Sequence, residues 1–114
     1  MLGRAISVLV VGSFVACASQ GQAPSVTDAH SAISAAQAVG AEREPKAALH
    51  LKLARDQTAQ AEAKIRSGDN HEAKLLLDQA KVDAELALVL TREAAARAQA
   101  EQALQKVQQL QQNQ

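Results

Sequence analysis

The chain has 114 residues, twelve basic and twelve acidic side chains that give a formal net charge of zero, and Phe14 as its one aromatic residue. This balance provides no electrostatic attraction for nucleic acid, and the near absence of aromatic side chains removes the stacking platform that single strands use. Alanine is the prevailing apolar residue, and because it buries little area but has the highest helix propensity, we expect one small all-α domain and no nucleic-acid partner.

The first sixteen residues have the pattern of a secretory signal peptide. Arg4 gives a positively charged start, and an uncharged apolar run follows from Ala5 to Ala16. This run is shorter than the roughly 20 apolar residues that cross a bilayer as a helix. We therefore predict that residues 1–16 are a signal peptide that is cleaved from the mature protein.

The residues Phe14-Val15-Ala16-Cys17 resemble the lipobox of bacterial lipoproteins, with phenylalanine where leucine is usual. The resemblance implies cleavage between Ala16 and Cys17, acylation of the Cys17 sulfur with palmitate, and attachment to a membrane through this lipid anchor. Two or more acyl chains hold a protein stably. Ala18 follows the cysteine where an aspartate would retain a lipoprotein in the inner membrane, so the same resemblance implies the outer membrane of the bacterial cell envelope, facing the periplasm. The alternative is an ordinary signal peptide in which Cys17 is only a small apolar residue.

A short linker separates Cys17 from the predicted domain. Residues 17–27 are mostly small and polar and include Gly21, so we predict a lipidated flexible tether. Either Thr27 or Asp28 can cap the first helix of a helical bundle domain that we place at residues 28–93.

Apolar spacing and terminal residues predict the first two helices. The first helix extends to about Val39, where Gly40 suits a C-terminal cap. Pro45 is favoured at the first position of the second helix, which extends to about Ser67. The apolar stripes of the two helices are Ala29, Ile33 and Ala36, and then Ala47, Leu51, Ala54, Thr58, Ala61 and Ile65.

The segment Ser67-Gly68-Asp69-Asn70 predicts the tip of an antiparallel helical hairpin. Gly68 can end the second helix, and Asp69 or Asn70 can cap the third. The favourable i,i+4 ion pairs expected on the helix surfaces are Glu62–Arg66 and Glu93–Arg97.

The stretch from Gly68 to Gln114 contains no further glycine or proline and carries two apolar sets at helical spacing. The first set is Ala73, Leu77, Ala80, Ala84, Ala87, Ala94 and Ala98. The second set is Leu75, Val82, Leu86, Val89, Ala96, Ala100, Ala103, Val107 and Leu110. Four charged residues share a narrow remaining face: Lys74, Lys81, Glu85 and Arg92. The apolar arc is wide enough to contact two helices, so we predict that the first helix joins the hairpin to form a small three-helix bundle.

Residues 94–114 are predicted to extend the third helix past the end of the hairpin. The second apolar set continues there through Ala96, Ala100, Ala103, Val107 and Leu110 without an intrachain partner. Two interpretations stand side by side. The segment is either a Gln-rich, low-complexity end that aids solubility, or a coiled-coil face for another copy of the chain or another protein.

The predicted domain contains a characteristic order of residues: Pro45, Leu49, Leu51, Leu53-Ala54, Ala61, Gly68-Asp69, Ala73, Leu76-Leu77, Ala80, Asp83-Ala84 and Leu86-Ala87. This order resembles the domain-of-unknown-function family numbered forty-three ninety-eight. The resemblance covers about residues 28–92, with the lipobox ahead of it. It implies a short envelope lipoprotein of helical fold and implies no activity.

Motifs for catalysis and metal binding are weak. His30, His50 and His71 form no His-x-x-x-His pair, and Cys17 is expected to be lipidated, so we predict no metal site and no cofactor. Asp83 projects toward the apolar arc, where we expect it to pair with a basic residue such as Arg55 or to reach solvent rather than to act as a functional carboxylate. No pattern indicates a small-molecule substrate.

These observations favour a non-enzymatic envelope lipoprotein that acts as a structural or scaffolding protein through helix–helix contacts. The alternative is a periplasmic carrier or chaperone that holds apolar cargo, which needs a cavity or a groove that opens. An enzyme ranks behind both because a nucleophile, a base and a metal cluster are missing from the pattern.

Overall fold

The structure, a computed structural model, describes residues 25–113, and within them the regular structure is helical. α1 spans Val26–Ala38, α2 spans Pro45–Ser67 and α3 spans Asn70–Gln112. A short 3₁₀ turn at Ala41–Arg43 joins α1 to α2. The prediction of an all-α fold is confirmed: α2 and α3 form an antiparallel hairpin, α1 packs on both of them, and α3 is the long C-terminal helix.

Local signals at the hairpin tip set the boundary between α2 and α3. Gly68 adopts the left-handed conformation with φ of 85°, and its N–H donates to the carbonyl of Ile65 at 3.0 Å. Asp69 caps α3 by accepting from the backbone N–H of Glu72 at 3.3 Å. The Glu72 carboxylate also accepts from Lys64 across the turn at 2.6 Å and raises the pKa of that ammonium. The stabilisation from this pair is present below the ordinary pKa of lysine and is lost as the pH rises through the raised value.

The connection between α1 and α2 is fixed in a similar way. Gly40, with φ of 82°, ends α1, and Pro45 takes the first position of α2, both as predicted. The guanidinium of Arg55 donates to the carboxylate of Glu42 at 2.6 Å and holds the pKa of Glu42 below its ordinary value. The stabilisation from this pair is present above the ordinary pKa of glutamate and is lost as the pH falls through the lowered value.

The N-terminal cap of α1 differs from the prediction. Ser25, rather than Thr27 or Asp28, caps the helix, and its Oγ accepts from the backbone N–H of Asp28 at 3.2 Å. Asp28 lies in the first turn, where a carboxylate is favoured by the positive end of the helix dipole. The helix therefore includes the last two residues of the predicted tether.

Alanine fills most of the core. The buried apolar residues of the described chain are ten alanines, Ala29, Ala36, Ala41, Ala47, Ala54, Ala61, Ala73, Ala80, Ala84 and Ala87, together with Ile33, Leu51 and Leu77. Thr58 is also buried, and its hydroxyl donates to the carbonyl of Ala54 at 2.8 Å. The predicted stripes of α1 and α2, apart from half-buried Ile65, and the first apolar set of α3 through Ala87 form this core. The last two members of that set lie outside it: Ala94 is half-buried and Ala98 is exposed.

One predicted surface ion pair is replaced by a contact between helices. Glu62 accepts from the imidazole of His30 on α1, with Nε2 and Oε1 separated by 3.1 Å, and no contact with Arg66 forms. The prediction of a Glu62–Arg66 pair is wrong because α1 lies against this part of α2 and supplies a nearer partner. The Glu93–Arg97 pair on α3 is confirmed.

Two leucines of α2 provide a matched test of the core. Leu51 is 1% exposed and Leu49 is 57% exposed. We expect Leu51→Ala to lower the free energy of unfolding by about 2–5 kcal/mol, because it removes the largest fully buried side chain and leaves a cavity. Leu49→Ala is expected to change it by less than about 0.5 kcal/mol. Urea unfolding followed by circular dichroism measures both, and equal losses would contradict the assigned faces of α2.

Candidate interaction surface

A continuous apolar seam runs along the solvent side of α3. It consists of the second apolar set: Leu75, Val82, Leu86, Val89, Ala96, Ala100, Ala103, Val107 and Leu110. Every member is exposed, and Val82, in the middle of the hairpin, is 63% exposed. The seam therefore begins within the hairpin at Leu75, and not beyond it as the sequence suggested.

The position of α1 explains why the seam is open. α1 packs on the side of α3 that carries Lys81, Glu85 and Leu88, where Ala32 and Ala35 line the same surface. The prediction that α3 contacts two helices is confirmed, because α2 and α1 both pack on it. Their contacts lie on the alanine face and leave the second apolar set exposed. The seam lies on the remaining side.

The seam repeats every seven residues. One row is Leu75, Val82, Val89, Ala96, Ala103 and Leu110, and the second row is Gln79, Leu86, Glu93, Ala100 and Val107. An ideal straight helix drifts by about 20° per heptad, so a strict repeat over this length matches a left-handed supercoil with another helix. Gln79 and Glu93 are the polar interruptions of the pattern.

α2 provides a second wall beside the seam. Leu49, Leu53 and Gln57 follow one another at four-residue spacing and therefore lie on one face of α2. Gln57 shares a groove of about 430 Å³ with Leu75 and Val82 of the seam. Leu49 and Leu53 are exposed large apolar residues. The seam thus has a groove on its α2 side, and this groove is open to solvent.

A polar cluster borders this groove through Asp83 and Gln57. Asp83 binds two residues of α2: its Oδ1 lies 2.8 Å from Nδ1 of His50, and its Oδ2 accepts from Nε2 of Gln57 at 2.9 Å. The side chains of Asp83 and His50 are 19% and 28% exposed. The expected pairing of Asp83 with Arg55 is wrong, because Arg55 turns to Glu42 at the other side of α2. The cluster joins the two helices of the hairpin and engages both carboxylate oxygens.

Gln57 retains one unsatisfied group in the groove. Its Oε1 is buried and accepts no hydrogen bond within the described chain. A buried acceptor without a donor costs about 1–3 kcal/mol. Gln57 therefore lines the groove with one side-chain acceptor left unsatisfied.

The segment of α3 beyond the core, residues 94–113, is called the tail below. It is helical through Gln112, and its side chains from Ala95 onward are exposed. The candidate interaction residues Ala96, Ala100, Ala103, Val107 and Leu110 all belong to it. Leu104, 64% exposed, lies beside them on the edge of the seam. Sequence analysis placed Leu104 in neither apolar set, although the seven-residue repeat was a signal that could have identified it as an edge position.

The three histidines lie apart from one another in the structure. His30 binds Glu62, His50 binds Asp83, and His71 lies exposed in the first turn of α3. Within residues 25–113, no group of three or more histidine, cysteine, aspartate or glutamate side chains is arranged to hold a metal ion. Ala16 and Cys17, the predicted cleavage and lipidation positions, lie outside the described residues.

Comparison with protein families identifies the domain. The chain belongs to the family described as Domain of unknown function (DUF4398), whose sequence profile matches residues 24–103. The match covers the three-helix bundle and the first part of the tail. No curated protein and no solved structure matches the chain. None of the helices in the described part is long and apolar enough to cross a membrane.

The polar cluster can be tested by removing its shared acceptor. Asp83→Ala leaves His50 and Gln57 partly buried without their partner, so we expect the free energy of unfolding to fall by about 1–3 kcal/mol. Asp78→Ala is the matched control, because Asp78 binds only Lys74 on the same helix and is 62% exposed; we expect a change below about 0.5 kcal/mol. Chemical denaturation of both variants measures this difference, and an unchanged stability for Asp83→Ala would contradict the structural role.

Proposed function

We propose that this chain is a non-enzymatic lipoprotein of the bacterial envelope that acts as a structural or scaffolding protein through helix–helix contacts. The observation that carries the proposal is the exposed apolar seam on α3. Contiguous apolar surface of this kind marks sites of protein association more often than a scattering of single apolar residues does.

The length of α3 supports this role. Its 43 residues span about 65 Å, whereas the 23 residues of α2 span about 35 Å. The tail therefore extends well past the bundle and presents the seam where α1 and α2 do not reach. A helix that projects from a small bundle with a heptad repeat on its surface suits a contact with another helix.

The titratable groups of the groove favour a binding surface over a catalytic centre. His50 and Asp83 are bound to each other, and the groove adds Gln79 and Asp78 but no hydroxyl or thiol beside them. General base catalysis needs a proton on a reacting group within hydrogen-bond reach. Asp83 instead binds His50 and Gln57 across the hairpin, and Asp78 binds Lys74 on its own helix.

The location of the protein rests on the N-terminal sequence. Lipidation of Cys17 would place a membrane anchor eight residues before the cap of α1 at Ser25. An extended chain rises at most about 3.3–3.6 Å per residue, so this link holds the bundle within about 30 Å of the membrane surface. We propose the outer membrane, with the bundle and tail in the periplasm.

Cys17→Ser tests the anchor. We expect cells grown with labelled palmitate to incorporate the label into the unsubstituted protein and not into the variant, since serine lacks the thiol that is acylated. Membrane fractionation is expected to find the unsubstituted protein in the outer-membrane fraction and the variant outside it. Unlabelled wild-type protein would refute the anchor.

Removal of the tail tests the scaffolding role. Amine-reactive crosslinking in intact envelopes, followed by mass spectrometry, is expected to give adducts of the full chain. A variant that ends after Arg92 is expected to lose these adducts, because the tail half of the seam is gone. The buried core extends only to Ala87, so the truncated bundle is expected to keep its thermal unfolding transition. Recovery of the full chain as free monomer alone would contradict the proposed role.

A further inference from the structure

We infer that the occupant of the seam and its groove is the tail of a second copy of this chain, bound in antiparallel orientation. The inference rests on the proposed function and names the partner. It follows from three features of the molecule: the heptad repeat along α3, the charges that flank it, and the match between the tail and the groove of α2.

The hairpin half and the tail half of α3 share the same spacing of seam residues. The same seven-residue spacing runs through the hairpin portion, from Leu75 to Val89, and through the tail, from Ala96 to Leu110. Two copies can therefore align along the whole seam, with the tail of each beside the hairpin portion of the other. Such a pair has twofold symmetry, and each copy presents the same surface to its mate.

The charges disfavour a parallel, in-register alignment. It would place Glu93 against Glu93 of the second copy within the seam. At the edges it would bring Asp78 near Asp83 and Arg92 near Arg97, since side chains five residues apart face each other across a parallel pair. Like charges at such short distances repel, and the cost is greatest at the least hydrated position, Glu93.

The antiparallel alignment avoids these contacts. With Glu93 beside the small side chain of Ala96 in the second copy, the register places Val82 beside Val107 and Leu86 beside Ala103. These large–small and Val–Val combinations suit knobs-into-holes packing. Glu93 can then keep its own partner, Arg97.

The flanking residues complement one another in the same register. On the edge away from α2, Glu85 lies near Lys106 of the second copy, which makes an opposite-charge pair twice by symmetry. Glu85 is about half exposed, and its contact with Lys81 is long, at 3.9 Å. Its carboxylate is therefore accessible to a second cation.

In this register, Leu53 and Gln57 of α2 lie next to two tail residues of the second copy, Leu104 and Gln108. The antiparallel pairing of α2 with α3 places Leu53 at the level of the seam where Leu104 of the second copy lies. This gives a partner to an exposed leucine outside the seam. Gln108 of the second copy lies at the level of Gln57, on the flank that faces α2, so two polar side chains meet there. The tail then acts as a fourth helix on the bundle of its mate.

Paired cysteines test both the partner and the orientation. We expect Val82→Cys and Val107→Cys chains, made together in the same cells with tags of different mass and oxidised in intact envelopes, to form a mixed disulfide. Either variant alone is expected to form no additional disulfide, because Val82 of one copy lies about 37 Å along the axis from Val82 of the other. The unsubstituted full chain is oxidised in parallel as a control, and it shows any disulfide that Cys17 forms by itself. Gln105→Cys, on the opposite side of the helix, is the matched control and is expected to give no product with Val82→Cys.

A charge exchange in the same background tests the flanking pair. Glu85→Lys is expected to lower the yield of the mixed disulfide several-fold, and addition of Lys106→Glu is expected to restore it. Same-residue disulfides from either variant alone would overturn the antiparallel orientation. Absence of any disulfide would overturn self-association, and the scaffolding role would then stand or fall on whether crosslinking to other envelope proteins persists.

Discussion

Close contact between alanine-lined helices is the constraint on which the structure depends. Ten alanines make up most of the described core, and only three larger aliphatic side chains join them. Alanine allows the backbones of three helices to approach closely, but it contributes little buried area per residue. The bundle therefore gains its stability from a long line of small contacts and from a few larger side chains, of which Leu51 is the largest fully buried one.

The same constraint places the larger apolar residues outside. Close helix packing has no room for leucine or valine at most inner positions, so Leu75, Val82 and Val89 of α3 and Leu49 of α2 remain exposed. The usual relation between side-chain size and burial is reversed along much of this hairpin. The surface of this hairpin thus carries large apolar side chains that the alanine core does not take in.

Much of the fold could be predicted from local signals. Pro45, Gly68 and Asp69 set helix boundaries through backbone geometry and caps that depend on a few neighbouring residues, and these predictions are confirmed. The predictions that failed depend on tertiary neighbours. Glu62 and Asp83 find their partners on other helices, which residue spacing within one helix does not reveal. Periodicity identified both apolar faces of α3, but two faces of similar pattern do not indicate which one a small helix such as α1 will leave open.

The weakness of the tail seam fits a lipid-anchored protein. Ala96, Ala100 and Ala103 bury little area, so a pair formed along this part of α3 gains only modest affinity in solution. The bundle provides a helical nucleus from which the tail can propagate, so the nucleation cost of an isolated helix of about 20 residues does not apply. If Cys17 anchors the chain, the copies share a membrane surface, and their effective concentration rises without any new contact. An interface that is weak between free chains would then form where the anchor concentrates them, so the proposed lipidation and the proposed pairing would depend on each other.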